Sequence, residues 1–189
     1  TLNAYGNTTA STISGPGIVS RTDKTTYDSE NRFPLSTANA LEHISSFQYE
    51  NGYLKTSTDP NQLSVSYERD VMGRETKVTY PDGTFKTTAY KFCDVNSNCP
   101  PGAIHYIQEE MAGKGISRTY IDSLDRIKRT EKQGFDGRKI WLDYRYNKLG
   151  QKTGESDEYY EGDTPQWHTV EFDLLQRSVR QTAPGNRTA

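Results

Sequence analysis

Apolar and aromatic residues in this chain alternate with polar ones over short runs, and the runs are broken at regular intervals. Leu63, Val65 and Tyr67 alternate, then Thr76, Val78 and Tyr80; so do Ile140, Leu142, Tyr144 and Tyr146, and His168, Val170 and Phe172. A period of two over a few residues predicts half-buried β-strands. Between the runs an Asp or Asn recurs, followed three positions on by a small or polar residue and then usually by Arg or another long side chain. The pentads are Asn3–Asn7, Asp28–Arg32, Asn39–His43, Asp59–Leu63, Asp70–Arg74, Asp122–Arg126, Asn147–Gln151 and Asp173–Arg177. An aromatic often stands shortly before, as at Tyr27, Tyr67, Tyr120, Tyr146 and Phe172.

Each pentad predicts a chain reversal. Asp and Asn side chains bond to backbone two residues on and tolerate left-handed geometry, and a following Gly accepts positive φ. Successive pentads start 25, 11, 20, 11, 52, 25 and 26 residues apart, mostly one strand-and-turn step or two. The step of 52 spans degenerate repeats with a Cys-containing insertion at about 91–115. Pro81-Asp82-Gly83 predicts one more reversal, and Asp136-Gly137, within Phe135–Arg138, predicts a two-residue hairpin. The expected fold class is all-β, built of antiparallel β-hairpin repeats over residues 1–189. The chain begins and ends inside repeat text, as expected of a fragment of a much longer chain.

Composition narrows the picture. Leu, Ile, Val and Phe make up only 32 of 189 residues, but 13 Tyr and 22 Thr supply strand formers and the net charge is −2. That combination predicts ordered strands around a thin core, with one apolar-aromatic face and one wet face. Near-neutral charge gives no footprint for nucleic acid, and Lys128, Arg129, Lys132, Arg138 and Lys139 are expected as solvated strand edges. No apolar run is long enough for a membrane helix, and no signal peptide lies in this segment.

Cys93 and Cys99 bracket a turn-rich loop. A local disulfide and two free thiols both remain open; zinc would need two more ligands, with only His105 near in sequence. Asn7-Thr8-Thr9 and Asn186-Arg187-Thr188 match the glycosylation sequon.

Residues 67–74, 79–84 and 144–151 resemble the tyrosine-aspartate repeats of the Rhs/YD family, and Tyr27–Arg32 and Phe172–Arg177 are similar. Asn31, Glu42, Gln62, Asp125 and Gln176 stand where that family favours Gly. The resemblance implies a curved or spiralling sheet, here an open segment of a YD-repeat shell. In bacterial Rhs proteins and Tc toxin B and C components such a shell encloses a toxic polypeptide. It implies a non-enzymatic structural role in a secreted or cell-surface bacterial protein. The partners it implies are the other YD repeats of the parent chain and an enclosed toxin or effector, with edge-strand self-association of the isolated segment.

Asp28, Asp70, Asp122, Asn147 and Asp173 are expected to cap turns, Gly73 and Gly150 to supply backbone freedom, and Arg32, Arg74, Arg126 and Arg177 to bridge neighbouring strands. No residue is assigned to catalysis, a cofactor or a metal. Asp59-Pro60 departs from the family's aspartyl cleavage pattern at Leu54 and Gln62. His43, His105 and His168 lie outside any hydrolase or zinc motif. Gly113-Lys114-Gly115 is a hairpin tip, and Glu109-Glu110 and Asp157-Glu158 point to opposite faces of their strands. The alternative function is a carbohydrate-binding or cell-surface adhesion module, with sugars stacking on Trp141, Tyr144, Tyr146 and Trp167. Cross-strand packing of those rings is the competing reading.

Overall fold

The computed structural model describes every residue except Asn96, Asn186 and Ala189; the sequon at Asn186 therefore lies outside the described residues. All regular structure among the described residues is β-strand, and no helix is long and apolar enough to cross a membrane. The chain forms two compact units, Thr1–Lys86 and Thr87–Ala189.

In the first unit the strands are β1 (Ala10–Gly15), β2 (Ile18–Tyr27), β3 (Pro34–Ala38), β4 (Ile44–Glu50), β5 (Tyr53–Thr58), β6 (Ser64–Arg69) and β7 (Glu75–Thr79). Each pairs antiparallel with the next, so every connection is a hairpin. β8 (Phe85–Phe92) leads into the second unit, which holds β9 (Ala103–Met111), β10 (Gly115–Asp122), β11 (Ile127–Gln133) and β12 (Lys139–Tyr146). These four also pair in succession. β12 then carries two partners on one edge: β13 (Lys152–Ser156) along Tyr144–Tyr146, and β14 (Tyr159–Tyr160) beside Ile140 and Trp141. β15 (Trp167–Phe172), β16 (Ser178–Ala183) and β17 (Arg187–Thr188) continue the sheet from β13. β9 and the turn that joins it to β10 lie within residues 91–115.

The reversals are of two kinds. The register slips by a residue immediately before the reversals at Asp28, Asp70, Asp122, Asn147 and Asp173, at Tyr27, Arg69, Ile121, Tyr146 and Phe172. The reversals at Asn39 and Asp59 and the one after Gln133 leave the ladder in step. The ladder also slips between Gln48 and Tyr49, before the Asn51-Gly52 turn, and between Ile13 and Gly15 in β1; a bulge bends its strand and adds right-handed twist.

The core is thin. Among the described residues the buried hydrophobic side chains are Val78, Tyr120, Ile121 and Pro100, joined by the polar Thr88, Asp122, Glu131 and Ser156. With so few aliphatics, burial depends on rings and on satisfied polar groups.

Candidate functional site

The repeated unit is a five-residue turn with one hydrogen-bond pattern. In Asp122–Arg126 the Asp122 N–H donates to the Arg126 carbonyl at 2.9 Å and the Asp125 N–H to the Asp122 carbonyl at 3.1 Å. Asp122 Oδ1 accepts the N–H groups of Leu124 and Arg126 at 2.9 and 3.1 Å. The pattern recurs at Asn3, Asn39, Asp59, Asp70, Asn147 and Asp173. Asp28 makes a wider version in which its N–H reaches the Phe33 carbonyl. The fourth position always has positive φ. Gly6, Gly73 and Gly150 supply it in three turns, and Asn31, Glu42, Gln62, Asp125 and Gln176 adopt φ between 57° and 65° in the others. A left-handed non-Gly residue costs about 1 kcal/mol, which the side-chain cap offsets.

Arg74, Arg126 and Arg177 fold back onto the Asp that opens their own turn. Each Nε lies 2.8–2.9 Å and each Nη2 2.7 Å from Oδ2 of Asp70, Asp122 or Asp173. The clamp is therefore local where bridges to neighbouring strands were expected, because Oδ1 already binds backbone and leaves Oδ2 facing position five. Arg32 instead pairs with Glu30 at 2.6 Å. The arginine bond is the main cause holding the Asp70 carboxyl below its usual range, with the turn amides adding to it. For Asp122, burial pushes upward and the Arg126 and backbone hydrogen bonds outweigh it.

The bulged turns stand in rows. Arg126 lies 4.8 Å over the ring of Tyr146, the residue before the next pentad, and Gln151 Nε2 donates to the Gln176 carbonyl of the one after. Leu124, Leu149 and Leu175, each the third residue of its turn, project exposed along this row. In the first unit the row runs through Asn3, whose Nδ2 donates to Asn31 Oδ1, and through Tyr53, which covers Gly73 so closely that a Cβ there would meet the phenol oxygen at 2.3 Å.

One face of the second unit is a network of ion pairs and rings. Glu131 accepts Arg118 Nη1 at 2.6 Å, Trp141 Nε1 at 3.0 Å and the Tyr120 hydroxyl at 3.4 Å. Arg129 grips Asp143 through two bonds of 2.6 and 2.8 Å, and the Tyr159 hydroxyl donates to Asp143 at 2.6 Å. Burial and that carboxylate push the Tyr159 phenol up to about 12. Arg129, expected as a solvated edge, is thus a half-buried partner. Register explains it: Arg129 pairs directly with Asp143, and Glu131 with Trp141. Lys132 and Arg138 are exposed and paired with Glu158 and Asp136.

Each candidate glycan-stacking ring carries a cation over it. Arg129 sits 3.9 Å over Trp141, Arg145 3.6 Å over Trp167, Arg126 over Tyr146, and Lys152 5.8 Å over Tyr144. Gly154, on the strand between Arg145 and Trp167, makes room for that pair: a Cβ there would lie 3.2 Å from the indole and 3.4 Å from Arg145. A sugar would have to displace these cations from the ring faces they cover.

Cys93 and Cys99 are joined in a disulfide with Cα atoms 5.9 Å apart. Asn7 of the first sequon donates its amide to the Asn31 carbonyl at 2.5 Å. Asp59 caps its turn, His168 pairs with Asp157 at the surface at 2.9 Å, and among the described residues no group of three His, Cys, Asp or Glu is placed to hold a metal. Asp136-Gly137 is not a two-residue hairpin: the Gly134 N–H reaches the Arg138 carbonyl and Asp136 caps from the third position. Two-residue loops are Pro16-Gly17, closing the Gly15–Ile18 pair, and Asn51-Gly52, with φ of 52° and 84° closing the Glu50–Tyr53 pair. The Asn-Gly dipeptide is the signal that would have revealed the second.

A family model described as RHS Repeat matches residues 49–84, the stretch holding the Asp59 and Asp70 turns. Among solved structures, the crystal structure of TcdB2-TccC3 is similar with a TM-score of 0.65 and 12% identity, over 88% of this chain and 12% of that one. At this identity the likeness shows a shared fold. This chain spans 12% of the length of the chain it matches. Comparison with curated proteins finds no match. The repeat match falls on two of the pentads that resemble the Rhs/YD family in sequence.

Proposed function

We propose that this chain is a structural stretch of wall in an Rhs-type shell that encloses a toxin or effector polypeptide within a secreted bacterial protein. The observation that carries the proposal is the recurring bulge: the ladder slips immediately before Asp28 and Asp70 in the first unit and before Asp122, Asn147 and Asp173 in the second. A bulge bends its strand and strengthens its twist, the means by which a sheet is given curvature. The wall's polar groups are taken up by one another, with Glu131 and Asp143 saturated by arginines and rings, which suits a scaffold better than a reactive centre. The exposed leucine row is where other repeats of the parent chain pack. The shared fold with TcdB2-TccC3 agrees with this role.

The test is limited proteolysis and electron microscopy of the full polypeptide carrying this segment. The reading requires a closed particle in which an enclosed segment resists protease, and loss of that resistance when Asp70, Asp122 and Asp173 are all changed to Ala. An extended, open chain with every segment equally cleavable would refute it.

A further inference from the structure

We infer that Asn51 is a site of intramolecular deamidation, the position at which the folded chain is chemically altered first. It is the only Asn followed by Gly in the sequence. Both residues are exposed, and a Cβ placed on Gly52 would meet nothing within 4 Å, so the approach to the Gly52 nitrogen is open. The capping asparagines are held by their turns: Asn3, Asn39 and Asn147 each bind two backbone N–H groups through Oδ1. Asn7 and Asn31 hydrogen-bond through their side chains as well. The Asn51–Gly52 turn reverses the chain without such a cap, and among the described residues the Asn51 side chain makes no hydrogen bond.

The Gly52 nitrogen attacks Asn51 Cγ; a N–Cγ bond forms, the Cγ–Nδ2 bond breaks, and the amide nitrogen leaves as ammonia carrying the proton lost by Gly52. Water then opens the five-membered imide. Attack at Cγ restores an ordinary Asp, which keeps the turn because Asp tolerates left-handed φ. Attack at the backbone carbonyl leaves isoaspartate, with one extra methylene in a two-residue turn. The Glu50–Tyr53 pair then loses its register, and Tyr53 is displaced from Gly73.

The test is incubation of the intact chain in warm, mildly alkaline buffer, with peptide mass spectrometry and isoaspartyl methyltransferase labelling over time. The peptide bearing Asn51 is expected to convert before every other Asn peptide and to take up the methyl label. In the Asn51→Asp variant, which keeps the turn, early ammonia release disappears. Conversion of another Asn first, or unchanged ammonia release from Asn51→Asp, would overturn the inference.

Discussion

Replacing Asp122 with Ala removes four hydrogen bonds at once: two from the N–H groups of Leu124 and Arg126 and two from the Arg126 guanidinium. The first pair resembles a helix N-cap, whose loss costs about 1 kcal/mol. The second is an ion pair whose carboxylate side is buried and whose guanidinium is a quarter exposed, worth about 1 kcal/mol after solvent screening. A loss of about 2 kcal/mol is expected in urea unfolding followed by Trp fluorescence, since Trp141 lies on the adjoining network. Asp122→Asn keeps Oδ1 for the backbone cap, as at Asn39 and Asn147, but puts an amide nitrogen that cannot accept where Oδ2 held the Arg126 guanidinium, so it should cost only the ion pair, about 1 kcal/mol. Equal losses for Asn and Ala would show that the backbone cap contributes nothing, and the account of the turn would fail.

Other predictions follow from the same geometry. Gly73→Ala forces a Cβ to 2.3 Å from the Tyr53 hydroxyl at φ of 80°, whereas Gly150→Ala meets open space at φ of 83°. Thermal melts should show Gly150→Ala losing about 1 kcal/mol and Gly73→Ala losing more, with part restored by Tyr53→Phe. Asp70, Asp122, Asp143 and Asp173 have carboxyl groups held below their ordinary range. Their stabilisation is therefore complete above the unfolded value of about 3.9 and disappears as pH falls through the lower folded values; a flat stability profile below pH ~4 would contradict the clamps. At the alkaline side the Tyr159 phenol, raised to about 12, contributes fully below the unfolded value of about 10 and loses that contribution as pH rises through about 12, a loss that Tyr159→Phe should abolish. Reducing Cys93–Cys99, or changing Cys99 to Ser, releases a loop closed over a separation of six residues and should lower stability by about 2 kcal/mol in the same melts.

The turns were legible in the sequence because their chemistry is local. An Asx carboxyl or amide binds amides two and four residues on, so neither strand pairing nor burial need be known to read it. The arginine clamp is equally local, but it was misread as a bridge because only the geometry shows that Oδ1 is already engaged with backbone. Asp136-Gly137 misled for a related reason: its Asp caps from the third position of a five-residue turn, while Pro16-Gly17 and Asn51-Gly52 made two-residue ones. The network of Arg118, Glu131, Arg129 and Asp143 was illegible without register, since each member meets its partner from another strand. For Trp141 and Trp167 the sequence left cross-strand packing and sugar stacking both open, because the arginines over them, Arg129 and Arg145, lie on other strands.

Amide hydrogen exchange, resolved by residue with NMR, tests the turn account most directly. The N–H groups of Leu124, Arg126, Leu149, Gln151, Leu175 and Arg177 should be strongly protected although Leu124, Leu149 and Leu175 expose most of their side chains. Exchange of these amides at the rate of an unstructured peptide, with the neighbouring strands protected, would mean that the pentads are loose connections and the ordered wall is wrong.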